Sequence, residues 1–505
     1  MDGDTETLRH QQPARTAVGH GTHAQVGCGR GRAIPSKVDT VIVGAGSAGL
    51  SALREVSRYT GDVLLVNDGH WGTTCAAVGC MPSKALIEAA NAFHRRGAFA
   101  EFGIRGAEGL RVDIPAVLAR VRRMRDGFVK GPESTPATLG DRAVSGRARL
   151  LGPGRLEVNG ETVEARAIIL APGSRPVVPA RWRVFGDRIL TTDTLFEQQD
   201  LPRRIAVIGM GAIGVEIAQA LARLTLEVAG FDAVEGLAGI DDGQVLAAFR
   251  PLLESEVALY LGAPVELEAA GGAIRVTGAD RSLEADAVLV AMGRRPNIDD
   301  LGLETLGVPL DNKGMPEVDP ATLRIGDLPV FLAGDANGHR PLLHEAADEG
   351  HIAGRMAAPG AEAAGLCRRT PLSIVFSSPQ VARVGPRLSE LDDKAIATGS
   401  ADFSQQARAR MAQTAAGILR VHAERETGRL LAAEMCVPGA EHLAHLLALA
   451  LERRMTVADM LAMPFYHPVL EEGLRGALRD LARGVTGVGG SDLSACEAVG
   501  YDALD

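Results

Sequence analysis

The chain has 505 residues, enough for two to four domains and a sizeable core. Its 53 Lys and Arg against 63 Asp and Glu give a net charge of −10, which argues against a general nucleic-acid binder or a polybasic membrane-surface protein. No run of 18 apolar residues suggests a membrane span, and six cysteines are too sparse for a disulfide-stapled secreted scaffold. The amino terminus lacks a basic-then-apolar signal, and Asp2, Asp4 and Glu6 fit a transit peptide poorly. A cytoplasmic protein with no nucleic-acid or membrane partner is expected.

Residues 1–37 show no sustained periodicity and read as a flexible extension. His20, His23 and Cys28 there make too weak a pattern to predict a metal site. Order is expected from Val38, where VDTVIVG is a short buried-strand run ending in glycine. Two segments then repeat one unit. The first carries Gly44-x-Gly46-x-x-Gly49 after a strand, then a helix to about Arg58 and an apolar run from Asp62 to Val66. The second carries Gly209-x-Gly211-x-x-Gly214, a helix to about Arg223 and a run from Leu226 to Phe231. A lone G-x-G-x-x-G is weak; two in strand–loop–helix–strand context point to dinucleotide sites. Side chains at those positions would block backbone N–H groups and a helix N-terminus from a pyrophosphate.

Between the units, Arg147–Ile169 alternates strand-like runs with Gly152-Pro153-Gly154 and Asn159-Gly160 turns, predicting β-hairpins. Strand-to-glycine stops recur at Ala287–Gly293 and Val330–Gly334. From Thr370 the texture becomes α+β, with helices near 441–454 and 469–482, and 484–505 reads as a loose tail. The Lys/Arg-rich stretch within 111–130 reads as a solvated helix face.

The residue closing each unit's second strand bears on the cofactor. Asp232, 18 beyond Gly214, stands where an acid bonds a ribose 2′-OH and would repel a 2′-phosphate; this favours NAD. The same offset from Gly49 reaches Asn67, whose amide can still bond a hydroxyl, with Asp68 as a substitute. Two dinucleotides, one held and one exchanging, would let a redox cofactor trade electrons with a nicotinamide.

After the first unit comes G-T-T-Cys75-A-A-V-G-Cys80-M-P-S-Lys84. C-x4-C differs from the C-x2-C zinc half-site, and no second pair accompanies it. On an ideal helix, residues five apart lie roughly 8.6 Å from each other between Cα atoms, given about 1.5 Å rise and 2.3 Å radius. A disulfide needs less than about 7 Å. A Cys75–Cys80 bond therefore needs a distorted segment, for which Gly79 and Pro82 are suited; two buried structural thiols are the other reading.

GTTCAAVGCMPSKAL resembles the redox signature of the class I pyridine nucleotide–disulfide oxidoreductases, most closely their dihydrolipoamide dehydrogenase branch, over 38–482. The resemblance implies an α/β fold with two Rossmann-like dinucleotide-binding domains, for FAD and NAD, plus an α+β dimerisation domain. The implied boundaries are 38–180 and 300–369 for the FAD-binding and central region, 181–299 for NAD binding and 370–483 for dimerisation. It also implies Cys75 as the interchange thiol, Cys80 as the flavin-proximal thiol, Lys84 near the flavin and Glu216 as its carboxylate partner. Gly334-Asp335 resembles the second FAD motif, whose acid holds the ribityl chain, and His344 with the helix beyond completes that match. The usual A-T-G crossovers stand here as Ala171-Pro172-Gly173 and Ala291-Met292-Gly293, and Pro172 removes a backbone donor that could matter to the hinge.

His467-Pro-x-x-x-Glu472 resembles the family's base, a histidine oriented by a carboxylate that reaches the disulfide of the other subunit of a homodimer. A cationic imidazolium beside buried thiols would depress their pKa values. The resemblance implies ping-pong oxidation of dihydrolipoamide by NAD⁺ through a Cys75–Cys80 disulfide, with the dihydrolipoyl group of an acyltransferase as a carrier. Another NAD(P)H-dependent disulfide or mercuric reductase, and a non-catalytic flavoprotein subunit, are the alternatives. Asp232 opposes an NADPH enzyme, and the tail's lone Cys496 gives no second redox pair.

Overall fold

A computed structural model describes residues 34–361, 366–487 and 492. His20, His23, Cys28 and Cys496 lie outside the described residues, as do nearly all of both terminal segments.

The first unit is β1 (Lys37–Val43), α1 (Ser47–Val56) and β2 (Val63–Asn67). α2 (Thr74–Ala77), α3 (Cys80–His94), α4 (Ile114–Glu133) and the short α5 (Thr135–Leu139) follow. β3 (Ala143–Ser145), β4 (Ala148–Gly152), β5 (Arg155–Val158) and β6 (Glu161–Leu170) complete a sheet ordered β3-β2-β1-β6-β5-β4, with strand Val330–Leu332 parallel to β6. β1, β2 and the end of β6 are buried apolar runs because layers cover both faces of their parallel part. The antiparallel hairpins sit where the turn residues predict them: Asn159 (φ 51°) and Gly160 (φ 87°) join β5 to β6 with both residues left-handed, as a type I′ turn requires.

The chain crosses through β7 (Ser174–Pro176) into the second unit, with β8 (Ile189–Leu190), α6 (Thr192–Leu195), β9 (Arg204–Ile208), α7 (Ala212–Arg223) and β10 (Glu227–Phe231). α8 (Gly243–Glu254) leads to β11 (Ala258–Tyr260), and the antiparallel β12 (Glu266–Ala270), β13 (Ala273–Gly278) and β14 (Arg281–Ala285) precede β15 (Ala287–Val290). The parallel order is β11-β10-β9-β15-β8. The return is β16 (Arg294–Pro296), antiparallel to β7, and β17 is the Val330–Leu332 strand. At this crossover the Pro172 carbonyl accepts from Asn297 Nδ2 (3.0 Å), and Asn297 N donates to Gly173 O (2.9 Å).

Helix α9 (Leu343–Ala357) lies against α1 so tightly that a Cβ on Gly350 would sit 2.1 Å from Ala48 O. The last sheet is antiparallel: β18 (Leu372–Val375), β19 (Gln380–Val384), β20 (Ile396–Asp402), β21 (Ile418–Glu424) and β22 (Leu430–Val437), ordered β18-β19-β22-β21-β20. α10 (Ala407–Met411), α11 (Ala440–Glu452), α12 (Val457–Leu461) and α13 (Glu471–Ala482) accompany it. One apolar core runs through all three regions, joining Leu86 and Leu118 to Ile217, Leu221 and Phe249 and to Val375, Val381 and Cys436. Each such buried aliphatic or aromatic side chain contributes about 1.5–3 kcal/mol, so the regions stabilise one another.

The basic helix is only in part the solvated face expected of it: Arg123 and Lys130 are exposed, while three other arginines are engaged. Arg120 donates to Ala85 O (3.0 Å), Arg122 bonds Gln198 O, and Arg125 pairs with Glu197. Leu118, Val121 and Val129 are buried beneath. Sequence alone could not show which carbonyls face these guanidiniums.

Candidate active site

The two glycine loops are superposable in their contacts. Gly44 (φ 104°) and Gly209 (φ 96°) turn left-handed against Ala171 O and Ala291 O, where a Cβ would come within 2.1 and 2.4 Å. Cβ atoms on Gly49 and Gly214 would sit 1.8 and 1.7 Å from Gly44 O and Gly209 O. Gly46 and Gly211 differ: a Cβ there meets nothing within 4 Å, and neither supplies a side-chain cap to its helix. Uncapped helix N-termini facing open cradles are what a dinucleotide pyrophosphate needs, so the residues present fit FAD at one loop and NAD at the other. Gly173 (φ 71°) and Gly293 (φ 91°) also face open space at the crossovers.

Asn67 and Asp232 occupy equivalent places. Asn67 Oδ1 accepts from Ala45 N (2.9 Å), and Asp232 Oδ2 accepts from Met210 N (2.6 Å). Asp232 Oδ1 takes Val234 N as well (3.2 Å), while Asn67 Nδ2 donates to His70 O (2.9 Å). Asp68 is exposed, and Asn67 itself fills the acid's position. In the second motif, Gly334 (φ 72°) turns the chain and its N–H donates to Glu349 Oε2 (2.7 Å), which also takes Asn337 Nδ2 (2.7 Å). Glu349 is 2 % exposed and pairs with Arg368; a buried acid 14 residues past Asp335 carries no sequence signal of its own. His344 is exposed on the first turn of α9.

The helix break at the cysteines is as the spacing demands. α2 stops after Ala77, Gly79 takes a non-helical conformation (φ −116°, ψ −113°), and α3 starts at Cys80. A Cβ on Gly79 would crowd Cys75 Cα at 3.1 Å, so glycine lets the two cysteines close up. Thr73 caps α2 by accepting from Ala76 N (3.0 Å). Cys75 and Cys80 are both half-buried, with a hydrogen bond between their sulfurs that Cys75 donates. Their pKa values are pushed apart. The donated hydrogen bond, reinforced by the Lys84 ammonium, lowers Cys80 to about 7 against the cost of burial. Holding its proton for Cys80, and buried, Cys75 is pushed far up.

Lys84, on α3 four residues past Cys80, bonds both Glu216 oxygens (3.0 and 2.8 Å). Glu216 is 5 % exposed on α7, and its Oε1 also accepts from Phe376 N (2.8 Å), in the segment after β18. The Phe376 ring lies 4.6 Å below the ammonium. Gln219, one turn on, grips Ser378 through its N–H (2.8 Å) and carbonyl (2.9 Å). The contributions of Phe376 and Gln219 were not legible in the motifs, because a backbone donor leaves no residue-type signature.

His467 Nδ1 lies 3.0 and 3.1 Å from the Glu472 oxygens, so Nδ1–H donates and Nε2 is left as the acceptor. Glu472 sits in the first turn of α13 and also takes Val469 N (3.2 Å). The hydrogen bond from His467, with that N–H, holds its carboxyl below the usual range. His467 is 75 % exposed, on a surface of the carboxy-terminal region shared with Tyr466 and Met411.

Residues 38–350 match the model of the family Pyridine nucleotide-disulphide oxidoreductase, and 372–478 match the dimerisation domain of the same family. A dihydrolipoyl dehydrogenase of Thermus scotoductus is 33 % identical over 465 residues, covering 88 % of this chain and 97 % of that one. One from Geobacillus stearothermophilus is 31 % identical, covering 86 % and 94 %. The crystal structure of LpdA from Mycobacterium tuberculosis is similar with TM-score 0.76 at 25 % identity, over 88 % of this chain and 99 % of that one. The chain belongs to the pyridine nucleotide-disulphide oxidoreductases. It is an FAD- and NAD-dependent flavoprotein disulfide oxidoreductase, and its dimerisation domain supports a homodimer. Among the described residues, no helix is long and apolar enough to cross a membrane.

Proposed function

We propose that the protein is a cytoplasmic dihydrolipoamide dehydrogenase, oxidising dihydrolipoamide with NAD⁺ in a homodimer whose sites are shared across the interface. The assigned regions are 38–180 with 300–369 for FAD and the centre, 181–299 for NAD and 370–483 for dimerisation. The reading rests on one arrangement: a polarised Cys75/Cys80 dithiol beside the Lys84–Glu216 pair, in a chain whose His467–Glu472 pair faces outward.

A substrate thiol gives its proton to Nε2 of the partner subunit's His467 and attacks Cys75 of the oxidised couple. The Cys75–Cys80 bond breaks, and Cys80 leaves as the thiolate that its lowered pKa favours. The second substrate thiol, deprotonated in turn, displaces Cys75 from the mixed disulfide, and Cys75 takes up one proton while the other passes to solvent. The first loop would hold FAD, which would supply the two-electron link between the reduced thiol couple and NAD⁺. Gly44, Gly46, Gly49, Asn67, Gly173, Gly334 and Asp335 would hold the flavin; Gly209, Gly211, Gly214, Asp232 and Gly293 would hold the nicotinamide dinucleotide.

The deciding assay is NAD⁺ reduction by dihydrolipoamide against a panel of other dithiols, with Cys80→Ser for comparison. Fast turnover that Cys80→Ser abolishes is expected; equal rates in both chains would reject the redox role. Mixing His467→Ala and Cys75→Ser chains should recover partial activity, since one composite site per dimer stays intact. Zero recovery in verified heterodimers would reject sites built across the interface.

A further inference from the structure

The carboxylate of Asp335 is aimed by two residues that no motif singles out. Ser174 opens β7 directly after Gly173, and Arg294 opens β16 directly after Gly293. The antiparallel register sets Ser174 opposite Pro296 and Arg294 opposite Pro176, so the outward and return crossovers lie side by side. Ser174 Oγ donates to Asp335 Oδ2 (2.7 Å). Arg294 Nε donates to that same Oγ (2.8 Å), and its Nη2 donates to Ser174 O (2.7 Å). The guanidinium is 17 % exposed, with Asp193 3.8 Å from its Nη1.

The order of donors in this chain has only one solution. A guanidinium has no acceptor, so the hydroxyl must receive from Arg294, and its single proton is left for Asp335. Both bonds are charge-assisted, the stronger kind, and each polarises the other. One oxygen of Asp335 is thereby engaged and the carboxylate plane fixed.

We infer that Ser174 and Arg294 are positioning residues for the flavin's ribityl chain, holding Asp335 with Oδ1 presented to a ribityl hydroxyl. The inference rests on the flavoprotein assignment. It also makes flavin retention depend on the return crossover of the second unit, because Arg294 reaches Ser174 only while β7 and β16 stay paired.

The test is equilibrium FAD titration of the full chain after flavin removal, followed by flavin fluorescence, with far-UV circular dichroism confirming that each variant is folded. Ser174→Ala is expected to weaken FAD binding about tenfold, and Ser174→Thr, which keeps the hydroxyl, to restore it. In Asp335→Asn the added Ser174→Ala change should cost nothing further, because the two act as one unit. A Ser174→Ala chain that binds like the unsubstituted protein, or losses that multiply in the double variant, would overturn the inference alone. No FAD uptake by the unsubstituted chain would overturn the flavin assignment together with it.

Discussion

The two glycine-loop units share a backbone solution down to the atoms that forbid a Cβ, yet they end on different residues. In the second, Asp232 spends both oxygens on backbone N–H groups of its own unit, Met210 and Val234. In the first, Asn67 accepts from the loop and donates onward to His70 O, five residues before Cys75. An amide can do both because it carries a donor and an acceptor; a carboxylate cannot. The first loop is thus tied to the segment leading to the cysteines, while the second is closed on its own backbone. Their surroundings differ in the same sense. α1 is sealed against α9 by Gly350 and Gly354, whereas the second unit is anchored at α8 by a polar latch. There Asp242 (1 % exposed) takes Arg420 Nε (2.6 Å), and the backbone N–H groups of Asp241 and Asp242 donate to buried Glu434.

The sharpest way to break this comparison is at the glycines. Gly49→Ala and Gly214→Ala force a Cβ onto a backbone oxygen and should each destabilise the protein by roughly 3 kcal/mol or more, read as a fall in denaturant midpoint. Gly46→Ala and Gly211→Ala meet open space, so both should keep the fold; the first should lose bound flavin and the second only nicotinamide affinity. If Gly46→Ala retains flavin, the cradle assignment is wrong.

The latch gives the next effect. His422 is buried between Thr398 Oγ1 (2.9 Å) and Asp242 (3.7 Å), and burial, with Arg420 nearby and only partly offset by Asp242, lowers its pKa to about 4. Its unfolded value is near 6.5, so the unfolded chain binds a proton that the folded one refuses between those limits. Stability contributed by neutral His422 is complete above about pH 6.5 and is lost as pH falls toward 4, roughly 3 kcal/mol in all. Chemical unfolding at pH 7 and pH 4.5 should show a smaller difference in His422→Gln than in the unsubstituted chain. An unchanged difference would remove the histidine from the latch.

Asp232→Ala should narrow the preference for NADH over NADPH by about tenfold, measured as the ratio of kcat/KM values. If the ratio holds, Asp232 serves only Met210 and Val234. The smallest effect is expected from Asn67→Asp, which keeps the acceptor for Ala45 N but loses the donor to His70 O. It should cost about 1 kcal/mol, seen as a drop in Tm with flavin still bound. An Asn67→Asp chain as stable as the parent would mean that the tie to the redox segment carries no energy.

Much of this was legible because it is local. Periodicity, the glycine triplets and the Asn159-Gly160 turn constrain a few consecutive residues, and the structure places those elements within a residue or two of the expected positions. Helix dimensions require a break between Cys75 and Cys80 if the two are to bond, and α2 and α3 part at Gly79. Lys84 and Glu216, 132 residues apart, were paired through the family resemblance; nothing in their spacing predicts contact. The opposite pKa shifts of the two thiols have no signature in their spacing, since which sulfur donates to the other is a matter of three-dimensional placement.

The amino-acid order by itself determined the two glycine loops, the thiol pair and the oriented imidazole, because each is written in residues that touch through a turn or one helical step. What only the folded chain decided are the long-range partners: Phe376 N on Glu216, Glu349 beneath Gly334, Arg294 behind Ser174, and Arg122 of α4 on the Gln198 carbonyl. Those bonds join segments tens to hundreds of residues apart, and several end on backbone atoms that every residue possesses. Pattern along one dimension cannot encode them; the packing of three regions around one apolar core does.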